Sequence, residues 1–173
     1  MKRTELKELL IDEVYGYSNI IEHFRVMLEP SRHAVLLIRK MQFYYSNSHK
    51  LLGKIYAKKL SDHYGIYVHP LARIEKGLKL PHPVGIVIGA AVKCGKNITI
   101  YQNVTLGSAN IGDWKTGKQP SVGDNVILYA GAKIVGNITV NDGSIVGANS
   151  VLNRSTEANC IYAGIPAKKI TKY

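Results

Sequence analysis

Aliphatic residues recur along this chain with two different periods. From Val68 to Val104 every sixth residue is Ile, Val or Leu (Val68, Ile74, Leu80, Ile86, Val92, Ile98, Val104), and the same phase resumes through Val122, Leu128, Ile134, Val140, Val146 and Leu152. A period of six fits neither the 3.6 of a helix nor a lone strand alternation; it fits short parallel strands wound into a coil with aliphatics pointing inward. The pattern predicts a mainly β protein with a β-helix over residues 65–155. Gly95, Asn97, Gly123, Asn125, Asn141 and Gly143 are expected at corners, where positive φ is needed. Residues 1–64 read as a short α-helical segment: Leu6, Leu9, Leu10 and Val14 keep helical spacing, Ser31 is expected to cap a helix through Tyr45, Ser46 to Ser48 to cap one over 49–60, and Gly65 to close the segment. Residues 156–173 are read as a C-terminal tail.

The six-residue pattern breaks between Gly107 and Ser121, where Gly112, Asp113, Trp114, Gly117 and Pro120 occur and neither Asn110 nor Thr116 is aliphatic. A solenoid accommodates an insertion by extruding it from a corner, and long loops on such scaffolds are usually functional. An extruded loop over 107–121 is therefore the first candidate for a site.

With 173 residues, 46% of them hydrophobic, the chain is one domain in size and long enough to bury a continuous core. No stretch approaches the ~20 apolar residues that span a bilayer, and acids stand in the first residues where a signal peptide would be apolar; a cytoplasmic protein is expected. Cys94 and Cys160 are too few and too far apart for a disulfide framework or a zinc site. The net charge of +11 calls for an anionic partner or substrate. Lysines concentrate in the helical segment (Lys50, Lys54, Lys58, Lys59) and at the end (Lys168, Lys169, Lys172), with no basic and aromatic run across the coil of the kind a nucleic-acid reader needs. No nucleic-acid partner is expected; the basic helices could approach a membrane surface, although nothing requires it.

His69-Pro70, PHPVGIVIG (81–89), NVTLGS (103–108), YAGAKIVGNI (129–138), VGANSV (146–151) and AGIPAKKI (163–170) together resemble the serine acetyltransferases and their relatives in surface-polysaccharide gene clusters. The resemblance covers about Gly65 to Ile170. It implies a left-handed parallel β-helix of hexapeptide repeats, three per turn, assembled as a homotrimer with active sites between neighbouring coils, and acetyl-CoA as co-substrate with no metal. It assigns His82 as the general base that takes the acceptor hydroxyl's proton, a role suited to imidazole because an alcohol is a poor nucleophile near neutral pH. The backbone amides near Gly107 and Ser108 would meet the acetyl carbonyl. Ala130 and Ala148 would leave room for the pantetheine arm, and Lys168 with Lys169 would face the cofactor's phosphates.

Four residues at three places depart from true serine acetyltransferases. Tyr67 and Pro81 replace two aspartates, one of which orients the histidine, and Lys118-Gln119 replaces the Arg-His pair that holds the amino acid's carboxylate. A zwitterion must be gripped by opposite charges, so the expectation is transfer to a carbohydrate hydroxyl of a surface polysaccharide or its precursor, with Trp114 stacking on the sugar and Tyr67, Lys118 and Gln119 offering hydrogen bonds. L-Serine as acceptor is the alternative, and a β-helical scaffold without activity is the non-enzymatic one. A carbonic anhydrase on the same coil would need three histidines, and none follows His82.

Overall fold

The computed structural model describes residues 2–16 and 20–172. Among the described residues, fourteen short strands form three sheets. The first face stacks β1 (Tyr67–Val68), β3 (Val87–Ile88), β6 (Thr105–Gly107), β9 (Lys133–Val135) and β12 (Val151–Leu152). The second stacks β2 (Arg73–Ile74), β4 (Lys93–Cys94), β7 (Ser121–Val122) and β10 (Thr139–Val140). The third stacks β5 (Thr99–Ile100), β8 (Ile127–Leu128) and β11 (Ile145–Val146), then β13 (Cys160–Gly164) and β14 (Ala167–Lys172). The chain visits the faces in rotation and the coil pairs are parallel, so the backbone winds around a three-sided prism. Val87 pairs with Thr105 and Lys133 with Val151, an advance of eighteen residues per turn.

All thirteen aliphatics of the six-residue series are buried. The coil strands in fact commonly point two residues inward, at i and i+2, as in Ile86 with Ile88 and Val104 with Leu106. This hides a slip. Arg73 pairs with Lys93, twenty residues on, because the corner at 81–85 holds two extra residues. The regular series therefore moves from the second inward position of each strand to the first at that corner. It moves back across the loop, where Thr105 pairs with Lys133, twenty-eight residues on.

Corner chemistry differs in part from expectation. Asn97, Asn125 and Gly143 have positive φ, but Gly95, Gly123 and Asn141 do not. Gly95 and Gly123 are needed for proximity instead: a Cβ on Gly95 would lie 2.8 Å from the Gly123 carbonyl carbon, and one on Gly123 2.9 Å from the Asp142 nitrogen. The edge between the third and first faces carries its own left-handed residues, Gly85, Asn103, Gly131 and Asn149.

Among the described residues, four α-helices precede the coil. α1 (Arg3–Leu10) runs into a π turn (Ile11–Tyr15), and α2 (Ile20–Leu28), α3 (Pro30–Ser46) and α4 (Lys50–Tyr64) follow. α3 is central, with His33 through Arg39 buried. Its N-cap is Glu29, not Ser31, and Pro30 begins it, where a missing N–H costs nothing. The Ser31 hydroxyl instead donates to the Pro81 carbonyl at 3.2 Å. His49, not Ser46 to Ser48, precedes α4, and Gly65 ends it with φ 60°. Gly53 lets α4 cross α3 closely, 3.1 Å from the Tyr45 Cβ to where its own would stand.

A buried ion pair fastens the helices to the coil. The Arg39 guanidinium grips Glu13 through Nε at 2.7 Å and Nη2 at 2.8 Å, and donates to the carbonyls of Ile74 at 2.6 Å and Glu75 at 2.7 Å. The Glu13 carboxylate also accepts from the Gly77 and Leu78 amides. At the other end, residues 156–172 add structure where the sequence predicts a tail: β13 pairs in parallel with β11 and turns back antiparallel on β14. No helix among the described residues is long and apolar enough to cross a membrane.

Candidate active site

His82 stands in the enlarged corner between the third and first faces. It is in a bend and not on a strand. Within that corner His82 and Val84 are exposed while Pro83 is buried. Pro81 is held from behind by Ser31, and the Val84 amide donates to the His82 carbonyl at 2.8 Å. The imidazole is exposed, with its centroid 5.9 Å from the Tyr101 ring, which in turn stacks on Tyr129 at 5.2 Å. Among the described residues no side chain or carbonyl hydrogen-bonds the imidazole, Tyr67 included. Tyr67 is itself 56% exposed, on the outer side of β1.

The same edge carries the small residues. The Gly131 amide donates to the Gln102 carbonyl and the Asn149 amide to the Ala130 carbonyl, which stacks Gln102, Ala130 and Ala148 in successive turns. Tyr101, Tyr129 and Gly147 stack beside them. His82, Ala130 and Ala148 thus share one edge, a strip with one aromatic margin and little side-chain bulk. Gln102 was missed in the sequence, and its Oε1 is buried with no hydrogen-bond partner. Tyr101 and Tyr129 were also missed. Removing the two extra residues from 81–85 would have aligned all three with the Pro81-His82 corner.

The loop lies on a different edge, between the first and second faces. Gly107 ends β6, Trp114 lies on a 3₁₀ turn (Asp113–Lys115), and β7 begins at Ser121. Asp113 braces the turn by accepting from the Asn110 amide at 3.0 Å. Trp114 is exposed, with the Lys115 ammonium 5.5 Å from its ring. Lys118 is exposed, whereas Gln119 is buried and engaged: its Oε1 accepts from the Ala91 amide at 2.7 Å and its Nε2 donates to the Ser108 hydroxyl at 3.0 Å. Within one chain, therefore, Gly107, Ser108, Trp114, Lys118 and Gln119 stand apart from His82, across the first face.

Lys168 and Lys169 lie on β14, opposite Ala163 and Tyr162. The Lys169 ammonium pairs with Glu157 at 2.6 Å, and that hydrogen bond raises its pKa; Lys168 is exposed. Cys94 points inward, and burial pushes its thiol up to about 12, so it is a packing residue and not a nucleophile. Among the described residues no cluster of three His, Cys, Asp or Glu could hold a metal ion.

Residues 119–154 match the family model described as bacterial transferase hexapeptide (six repeats). Residues of the chain are 45% identical over 102 positions to a serine acetyltransferase of Staphylococcus xylosus, covering 59% of this chain and 46% of that protein. The chain spans about half the length of the curated relatives it matches. Among solved structures, a Neisseria gonorrhoeae serine acetyltransferase superposes with a TM-score of 0.81 at 27% identity, covering 98% of this chain and 68% of that one. A serine acetyltransferase in complex with CoA superposes at 0.72 and 32% identity, covering 80% and 56%.

Proposed function

We propose that this chain is an acetyl-CoA-dependent O-acetyltransferase whose general base is His82. The observation that carries the reading is the edge that places an exposed imidazole in line with Ala130 and Ala148, beside a strip narrow enough in side chains for a pantetheine arm. Its fit to a CoA-bound serine acetyltransferase supports the same assignment. The acceptor oxygen would attack the thioester carbon, forming the ester C–O bond as the C–S bond breaks. His82 would take the hydroxyl proton and return it to the departing thiolate. Amides near Gly107 and Ser108 would receive the charge that gathers on the carbonyl oxygen.

Because His82 and the loop lie on different edges of one prism, the reading requires a second copy to bring its loop against His82. A left-handed coil assembled as a homotrimer supplies that arrangement three times. Lys168 would then be the cation for the phosphates of CoA, since Lys169 is already paired with Glu157.

L-Serine is the acceptor that the named relatives favour. One observation favours a carbohydrate hydroxyl as a second reading: Gln119, at the position of a carboxylate-holding side chain, is turned inward onto Ala91 and Ser108. The two separate in one assay. Thiol release from acetyl-CoA is followed with L-serine and with a panel of sugars and nucleotide sugars; saturable turnover of serine establishes the first, and turnover of a sugar with serine inert establishes the second. Thiol release with neither acceptor would remove both.

A further inference from the structure

Away from the coil edges, the helices frame an open cavity of about 580 Å³ between α1, the π turn, α2 and α3, within the size range of small-molecule sites. Its floor is apolar, with Leu6 and Leu10 buried beneath it. Its polar wall is basic: Arg3, Lys7, His23 and Lys40 line it, and none of the described residues that line it is acidic. The segregation follows from helical spacing. Arg3 and Lys7 are four apart and share the cavity side of α1, while Glu5, Glu8 and Asp12 line a separate surface depression with Lys76.

The cations are poorly compensated. The Lys40 ammonium lies 5.7 Å from the Tyr56 ring and the Lys59 ammonium 6.0 Å from the same ring, and neither makes a salt bridge among the described residues. Two ammonium groups sharing one aromatic ring repel each other. Burial and the Lys59 charge hold the Lys40 pKa below its usual value. His23 is fixed in place, stacked on Tyr15 at 4.5 Å with the tyrosine hydroxyl 3.2 Å from its Nε2.

We propose that this cavity binds a phosphate monoester carrying an apolar stem, with Arg3, Lys7 and Lys40 around the phosphate and Leu6 and Leu10 under the stem. A dianion suits a basic wall with no acid among its described residues better than a carboxylate does, and the arginine fork matches phosphate geometry. The same chemistry occurs in a soluble phosphorylated metabolite and in a phosphatidic acid headgroup, and the proposal does not depend on the acetyltransferase reading.

Calorimetric titration of the full chain with hexyl phosphate tests it. Saturation at one site per chain is expected, weakened about tenfold or more by Lys7→Glu and by Arg3→Glu, two exposed substitutions whose melting curves check the fold. Lys96→Glu, on the coil, is expected to change nothing. Sedimentation with phosphatidylcholine vesicles, with and without phosphatidic acid, separates the sources: binding to the acidic vesicles that Lys7→Glu abolishes identifies the lipid, and hexyl phosphate binding without sedimentation identifies a soluble ligand. Failure of hexyl phosphate to saturate, inorganic phosphate binding equally well, or equal weakening by Lys96→Glu would overturn the proposal.

Discussion

The coil and the helices in front of it are held by different kinds of information. In the coil, each inward aliphatic sits between equivalents one turn above and below, so what matters at a position is its class: Val, Ile and Leu exchange along a column while the backbone ladder stays the same. The helices dock through individuals. Arg39 and Glu13 together satisfy two carbonyls and two amides of the coil, and no neighbour repeats that arrangement. A repeat tolerates substitution and a unique buried pair does not. The base proposed above sits on the repeat, at one of the two corners that depart from it.

The largest expected effect isolates that corner. His82→Ala should lower acetyl transfer by roughly 10²–10⁴-fold and leave the melting temperature unchanged, because the exposed ring supports neither region. Unchanged turnover would remove the assigned base.

Next is the docking pair. Arg39→Ala strands a buried carboxylate and should cost about 3–5 kcal/mol. The loss should fall on one side: amide exchange in α1 and α3 should accelerate while the coil strands stay protected. Uniform loss across both regions would mean that the coil depends on its helices, and the contrast would fail. Glu13→Leu with Arg39→Met together should cost less than Arg39→Ala alone, since no unpaired charge remains.

What the sequence disclosed follows the same division. The period of six was legible because burial acts on residue class, and it survived even the two-residue slip at 81–85, since the two inward positions of a strand are themselves two residues apart and the slip only moves the series from one to the other. That tolerance is also why the slip was invisible, and with it the alignment of Tyr101, Gln102 and Tyr129 to His82. The motif resemblance named His82, Ala130 and Ala148 as candidates, and the structure places the three on one edge. The inward turn of Gln119 and the pairing of Lys169 with Glu157 depend on single hydrogen bonds between distant segments, for which the chain carries no local signal. Ser31 shows the same limit: a good capping residue became a tether to Pro81 because Pro30 had already begun the helix.

Within the coil, Ile134→Ala should cost about 2–5 kcal/mol by opening a cavity in the centre of a column. Gly131→Ala should cost less, about 1–2 kcal/mol, for forcing a Cβ into the left-handed region at φ 73° against Asn149. Denaturant midpoints of the two variants measure the difference. If the glycine variant proves the costlier, the corners and not the aliphatic columns carry the coil.

The smallest effect belongs to the helices and depends on pH. His33 on α3 is buried against α4, with its Nδ1 2.8 Å from the Tyr64 hydroxyl. Its pKa is lowered from 6.5 by burial first, then by the charges of His63, Lys40 and Lys59. The unfolded chain therefore takes up this proton at a higher pH than the folded one does. Between 6.5 and the lower folded value the unfolded state holds more protons, so stability falls as pH drops through that window and is fully present above it. Melting of the helices should be lower at about pH 5.5 than at about pH 7.5, and His33→Asn should flatten that dependence. The strands of the coil, followed by amide exchange at the same two pH values, should keep their relative protection. An identical slope in wild type and His33→Asn would assign the pH response to other groups.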